Sequence, residues 1–138
     1  MHRLVVDTNI IISSLLGKSY PYKIVFEVIL DKKALIFLSS EILKEYKDVV
    51  SRKKFHKSPG FIQESIELIQ KIERVSTVVT PALNLDLLKD SDDNRFLELA
   101  LTIQADYLIT GNSKDFPFGK IENTQIVSPQ KYWTTHWA

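Results

Sequence analysis

The sequence contains no cysteine. That absence excludes disulfides, thiolate zinc sites and a cysteine nucleophile, and it suits a reducing compartment, so the cytoplasm is the expected location. An excess of one charge is also missing: 18 Lys and Arg against 17 Asp and Glu leave a formal net charge of +1. The summed field therefore gives no strongly cationic body of the kind that binds nucleic acid, and any attraction for phosphates must be local. Long apolar runs are lacking as well. His2 and Arg3 followed by an apolar stretch have the outline of a secretory signal, but Asp7, Thr8 and Asn9 interrupt it. The stretch Ile24 to Leu30 contains Glu27 and falls far short of the roughly 20 residues a membrane span needs. There is no internal repeat and no low-complexity segment, and the length fits one domain, residues 1–138, with a single core.

What is present alternates between strand and helix signals. Leu4, Val5 and Val6 form a short apolar, β-rich run ending at Asp7, as expected of a central strand buried on both faces. Residues from about Thr8 to Leu16 read as a helix closed by Gly17, and Pro21 opens another running to about Asp31. A second strand spans Ala34 to Leu38. Ser39 or Ser40 then caps a helix whose apolar stripe is Ile42, Leu43, Tyr46, Val49 and Val50. Glu45 lies beside that stripe, whereas Glu41, Lys44 and Asp48 fall on the opposite, solvated side. A helix from about Phe61 to Glu73, a strand at Val75 to Thr80, a helix after Asp90 to Asp93, and strands at Tyr107 to Ile109 and Gln125 to Val127 follow. A short helix beginning near Pro129 ends the chain. Pro81 to Lys89 reads as loop. The expected fold is α/β, a three-layer α/β/α sandwich with a mostly parallel sheet of four to five strands.

Ligands of such sheets bind at the carboxyl ends of the strands. Asp7 directly follows the first strand, Glu45 lies in the first turns after the second, and Asn112 and Asp115 follow the strand at 107–109. Carboxylates that converge repel one another unless a cation compensates. Magnesium and manganese prefer carboxylate oxygen and water, and two such ions about 4 Å apart can activate a water and stabilise the leaving oxygen at phosphorus. Taken singly, each acidic residue also has a plain structural use: Asp7 as a helix cap, the run Asp90 to Asp93 as a cap with first-turn charges, and Glu45 as a solvated helix edge. Within the acidic run, Asp92 is the alternative ligand to Asp93. Together, and at strand ends, they favour a site.

Four segments carry a family resemblance: Val5-Val6-Asp7-Thr8-Asn9-Ile10-Ile11-Ile12-Ser13, Ser40 to Glu45, Asp90 to Ala100, and Ala105 to Asn112. In order and spacing they resemble the PIN-domain nucleases, in particular the prokaryotic single-domain members assigned as toxin components of toxin-antitoxin pairs, the VapC type. The resemblance implies an α/β/α sandwich that binds one or two Mg2+ or Mn2+ ions and hydrolyses RNA. Asp7, Glu45 and Asp93 match the family's first three acidic positions, and Asn9, Ser13 and Thr110 match its supporting polar positions. Many members carry Asp where this chain has Asn112, so the fourth metal position falls to Asn112 or Asp115. An antitoxin covering the crevice and a homodimer are the partners the resemblance implies. Arg52, Lys53 and Lys54 form a basic stretch suited either to RNA phosphates or to the end of a helix dipole.

Two other functions compete. A catalytically weak domain, short of charge at Asn112, would bind RNA or protein without cutting. A haloacid-dehalogenase-like phosphatase would also place an Asp after the first strand, but it usually needs a second Asp where this chain has Asn9. Tyr132, Trp133 and Trp137 fit core packing or an oligomer contact better than base stacking, and His2, His56 and His136, lacking ligand spacing, are expected at the surface.

Overall fold

The first strand, β1 (Arg3–Val6), is the centre of the molecule: Leu4, Val5 and Val6 are fully buried. A computed structural model describes residues 1–52, 59–82, 91–113, 116 and 118–137, without the side chains of Pro59, Ser91 and Asp92. Parallel neighbours flank β1 on both edges, β2 (Leu35–Leu38) through Arg3–Leu35 and Leu4–Ile36, and β4 (Tyr107–Ile109) through Leu4–Tyr107 to Val6–Ile109. Beyond them lie β3 (Thr77–Val78) on one side, and β6 (Thr124–Val127) and β5 (Lys120–Ile121) on the other, giving the order β3-β2-β1-β4-β6-β5. Only β5, paired with β6, runs antiparallel. The sheet thus has six strands instead of four to five. The addition is β5, whose two residues are too few to show a period, and β3 is shorter than the segment expected for it.

Helices fill the connections. α1 (Thr8–Ser14) leaves β1 at Asp7, and α2 (Tyr20–Tyr22) continues as a π-helical segment, Lys23–Ile29, closed by a bond from Leu30 N to Val25 O. α3 (Ser40–Val50) begins where Ser39 Oγ accepts from Ile42 N at 3.1 Å, and α4 (Pro59–Val75) packs on α3 and β2. α5 (Ser91–Thr102) lies against β1 and β4, while α6 (Pro129–Lys131) leads into a second π-helical segment, Tyr132–Trp137. Steps from β1 to β2 to β3 go one way and the step to β4 goes the other. Right-handed crossovers therefore place α1–α4 on one face and α5 on the opposite face. The α/β/α sandwich expected from the alternation is the fold observed. Its strand order reverses between β1 and β4, and the carboxyl ends of strands at such a point are where ligands of open α/β sheets bind.

Candidate active site

At that reversal point the chain places Asp7. Its backbone N donates to Ile109 O at 2.9 Å, which extends the β1–β4 ladder by one bond before α1 begins. The side chain is only 7% exposed, so its carboxylate requires compensation. Part comes from Thr110, fully buried at the end of β4, whose Oγ1 donates to Asp7 Oδ2 at 2.7 Å. The same Oγ1 accepts from Asn112 N at 3.1 Å. Thr110 is thus a bridge between the first carboxylate and the loop after β4.

Glu45 approaches from α3. Its Oε2 accepts a hydrogen bond from Thr8 Oγ1, the first residue of α1. The next residue, Tyr46, is fully buried and donates from its hydroxyl to Val6 O at 2.5 Å. Burial first, then the negative charges of Asp7 and Glu45, push the Tyr46 phenol well above its ordinary pKa of 10.0. Both carboxylates thus add negative potential at one buried hydroxyl.

Asp93 lies half-buried in the first turn of α5. Arg95 Nε pairs with Glu41 Oε2 at 3.3 Å, which links α5 to the first turn of α3. Asn112 is half-buried and Ser13 is half-buried, whereas Asn9 and Arg52 are exposed. Asp115, Lys53 and Lys54 lie outside the described residues, as do Asp90 and the Asp92 side chain. Among the described residues, no three Asp, Glu or His side chains form a group able to hold a metal. The donor chemistry nevertheless suits a hard divalent cation: the groups at hand are carboxylates, hydroxyls and an amide, with no sulfur, and buried Asp7 and half-buried Glu45 supply negative charge. Asp7 and Glu45 would hold it.

Reading the sequence alone missed Thr8 and Tyr46. A tyrosine at a stripe position that needs only an apolar side chain is a usable signal, because a buried phenol must find a partner. Two histidines also depart from expectation. His2 meets Tyr107 and Tyr132 edge-on and bonds Tyr132 Oη through Nδ1 at 2.8 Å, and His136 Nδ1 lies 3.3 Å from Tyr107 Oη with its Nε2 enclosed. Both imidazoles are half-buried against the rings of Tyr107, Tyr132 and Trp137, at the end of the sheet away from Asp7.

Buried Asp7 and half-buried Glu45 beside the reversal point of a mostly parallel sheet define the class, an α/β protein with carboxylates at its topological switch point. The PIN domain family model matches residues 3–114, and the chain belongs to that family. The fold is of the nuclease type, whose members generally bind divalent metals and act on nucleic acids. The chain is also similar to an uncharacterized protein of Methanocaldococcus jannaschii, MJ1680, at 31% identity over 125 residues, 90% of this chain and 79% of that protein. Among the described residues, no helix is long and apolar enough to cross a membrane.

Proposed function

We propose that the chain is a magnesium- or manganese-dependent endoribonuclease of a single domain, acting in the cytoplasm as the toxin of a toxin-antitoxin pair. The observation that carries this reading is the placing of Asp7 at the end of β1 and of Glu45 on α3, each held by a threonine hydroxyl, beside the point where the strand order reverses. When bound, one or two divalent ions supply positive charge that polarises a phosphodiester and lowers the pKa of an attacking water. The protein's share is orientation. Thr110 fixes one oxygen of Asp7 and Thr8 fixes one oxygen of Glu45, so both carboxylates are set before substrate arrives. Asp93, from α5, is the third acidic group of the site, and Asn112 or Asp115 completes it. Arg52 with Lys53 and Lys54 offers local positive charge to the RNA backbone, which the near-neutral whole chain does not supply. An antitoxin would cover the crevice, and a homodimer is the expected assembly.

The test is cleavage of a mixed RNA pool with Mg2+ or Mn2+ by the wild type beside Asp7→Asn and Asp93→Asn. Metal-dependent cutting that both substitutions reduce by at least 100-fold, with folding intact, is the expected outcome. A folded wild type that cuts no RNA with either ion would overturn the ribonuclease reading and favour a domain that binds RNA or protein without cutting.

A further inference from the structure

The β1–β2 register ends at Leu4–Ile36, because the chain turns at Ser39 into α3. In a strand the backbone groups of successive residues point to alternate sides. Asp7 N is directed at β4, so the Val6 carbonyl faces the β2 side, beyond the end of that ladder. It is fully buried there and would have no partner if the ladder alone served it. The Tyr46 hydroxyl takes the place of the missing strand neighbour at 2.5 Å. One hydrogen bond therefore ties the residue before Asp7 to the residue after Glu45.

We propose that Tyr46 is a positioning residue that sets the Glu45 carboxylate opposite Asp7 for metal binding. The inference rests on the metal-dependent reading of the site and adds a residue that touches neither ion nor substrate. Tyr46 acts from α3 on the end of β1, while Thr8 acts from α1 directly on Glu45. The two contacts restrain Glu45 along different directions. With the phenol shortened to phenyl, the helix keeps its apolar packing on the sheet but loses its fixed height relative to Asp7.

Calorimetric titration with Mn2+ alone tests this on the wild type, Tyr46→Phe, Glu45→Gln and the double variant, with Tyr132→Phe as a control that removes a buried hydroxyl at the opposite end of the sheet. Loss of a residue that orients a metal ligand weakens affinity about 10- to 100-fold. Tyr46→Phe is expected to show that loss, Tyr132→Phe to keep wild-type affinity, and Tyr46→Phe to cause no further loss in the Glu45→Gln background. Unchanged Mn2+ affinity in folded Tyr46→Phe, or an equal loss with and without Glu45, would overturn the positioning role while leaving the metal site standing. A wild type that binds no Mn2+ overturns the metal reading itself and this inference with it. A measurement that needs no variant uses wild type carrying 13Cζ-tyrosine: the Tyr46 resonance is expected to move on addition of Mg2+ while that of Tyr132 stays. A Tyr46 resonance indifferent to bound Mg2+ would count against the role.

Discussion

Replacing Thr110 by valine keeps the shape of the side chain and removes its hydroxyl, the group that links Asp7 to the loop after β4. In the folded protein Thr110 is fully buried and Asp7 is 7% exposed, so water has little access to replace the lost donor. A hydrogen bond to a charged group contributes about 1.5–3 kcal/mol, and the amide of Asn112 loses its acceptor in the same step. A loss of about 2 kcal/mol is therefore expected. Unfolding entropy of roughly 2.1 cal/mol/K per residue gives about 290 cal/mol/K for 138 residues. The corresponding drop in Tm is about 7 °C. Thr110→Ser keeps the hydroxyl and loses one methyl group, worth about 1 kcal/mol, so it should fall by roughly half as much. Thermal melts followed by circular dichroism at pH 7, without added metal, measure both. If Thr110→Val melted within about 2 °C of wild type, or Thr110→Ser melted as low as valine, the hydroxyl would not be what secures Asp7.

Two further perturbations act away from the carboxylates. Ser39→Ala removes the acceptor for Ile42 N at the start of α3, and loss of such a cap costs about 1 kcal/mol. Hydrogen exchange should accelerate in the first turn of α3 before it does in α4, and uniform acceleration across both helices would contradict a local cap effect. Burial first, then Lys131 and His2, hold the His136 pKa below its ordinary 6.5. With a depressed folded value the unfolded chain binds the proton more readily, so this contribution to stability is present above pH 6.5 and is lost as pH falls below it. Wild type should lose more Tm between pH 7.5 and 5.5 than His136→Gln does, and identical pH dependence in the two would refute the assignment.

The legible parts of the fold were those written in short-range patterns. The run Leu4 to Val6 is buried on both faces as its continuous apolarity requires. In α3 the 3.6-residue period separated buried Ile42, Tyr46, Val49 and Val50 from exposed Glu41, Lys44 and Asp48, and left Glu45 at the margin. Ser39 proved to be the cap. The partners of Thr8 and Tyr46 were illegible for a different reason. These partners, Glu45 and Val6, are 37 and 40 residues away, and no local period encodes where β2 parts from β1. The π-helical form of Lys23–Ile29 was equally hidden, since its buried Ile24, Val25, Val28 and Ile29 suit an α-helix as well. The ring contacts that half-bury His2 and His136 were hidden too, because nothing local in the sequence says which aromatic rings will meet them.

The bond between Thr110 and Asp7 joins residues 103 apart in the chain. During synthesis at about 5–20 residues per second, Asp7 is made roughly 5–20 s before its partner. Through that interval β1 lacks β4, the strand that supplies half of its pairing and the hydroxyl that steadies its terminal carboxylate. Until then the carboxylate of Asp7 lacks the buried hydroxyl that holds it in the folded protein. The order of strands along the sequence thus delays the assembly of this end of the sheet until residue 110 has been made.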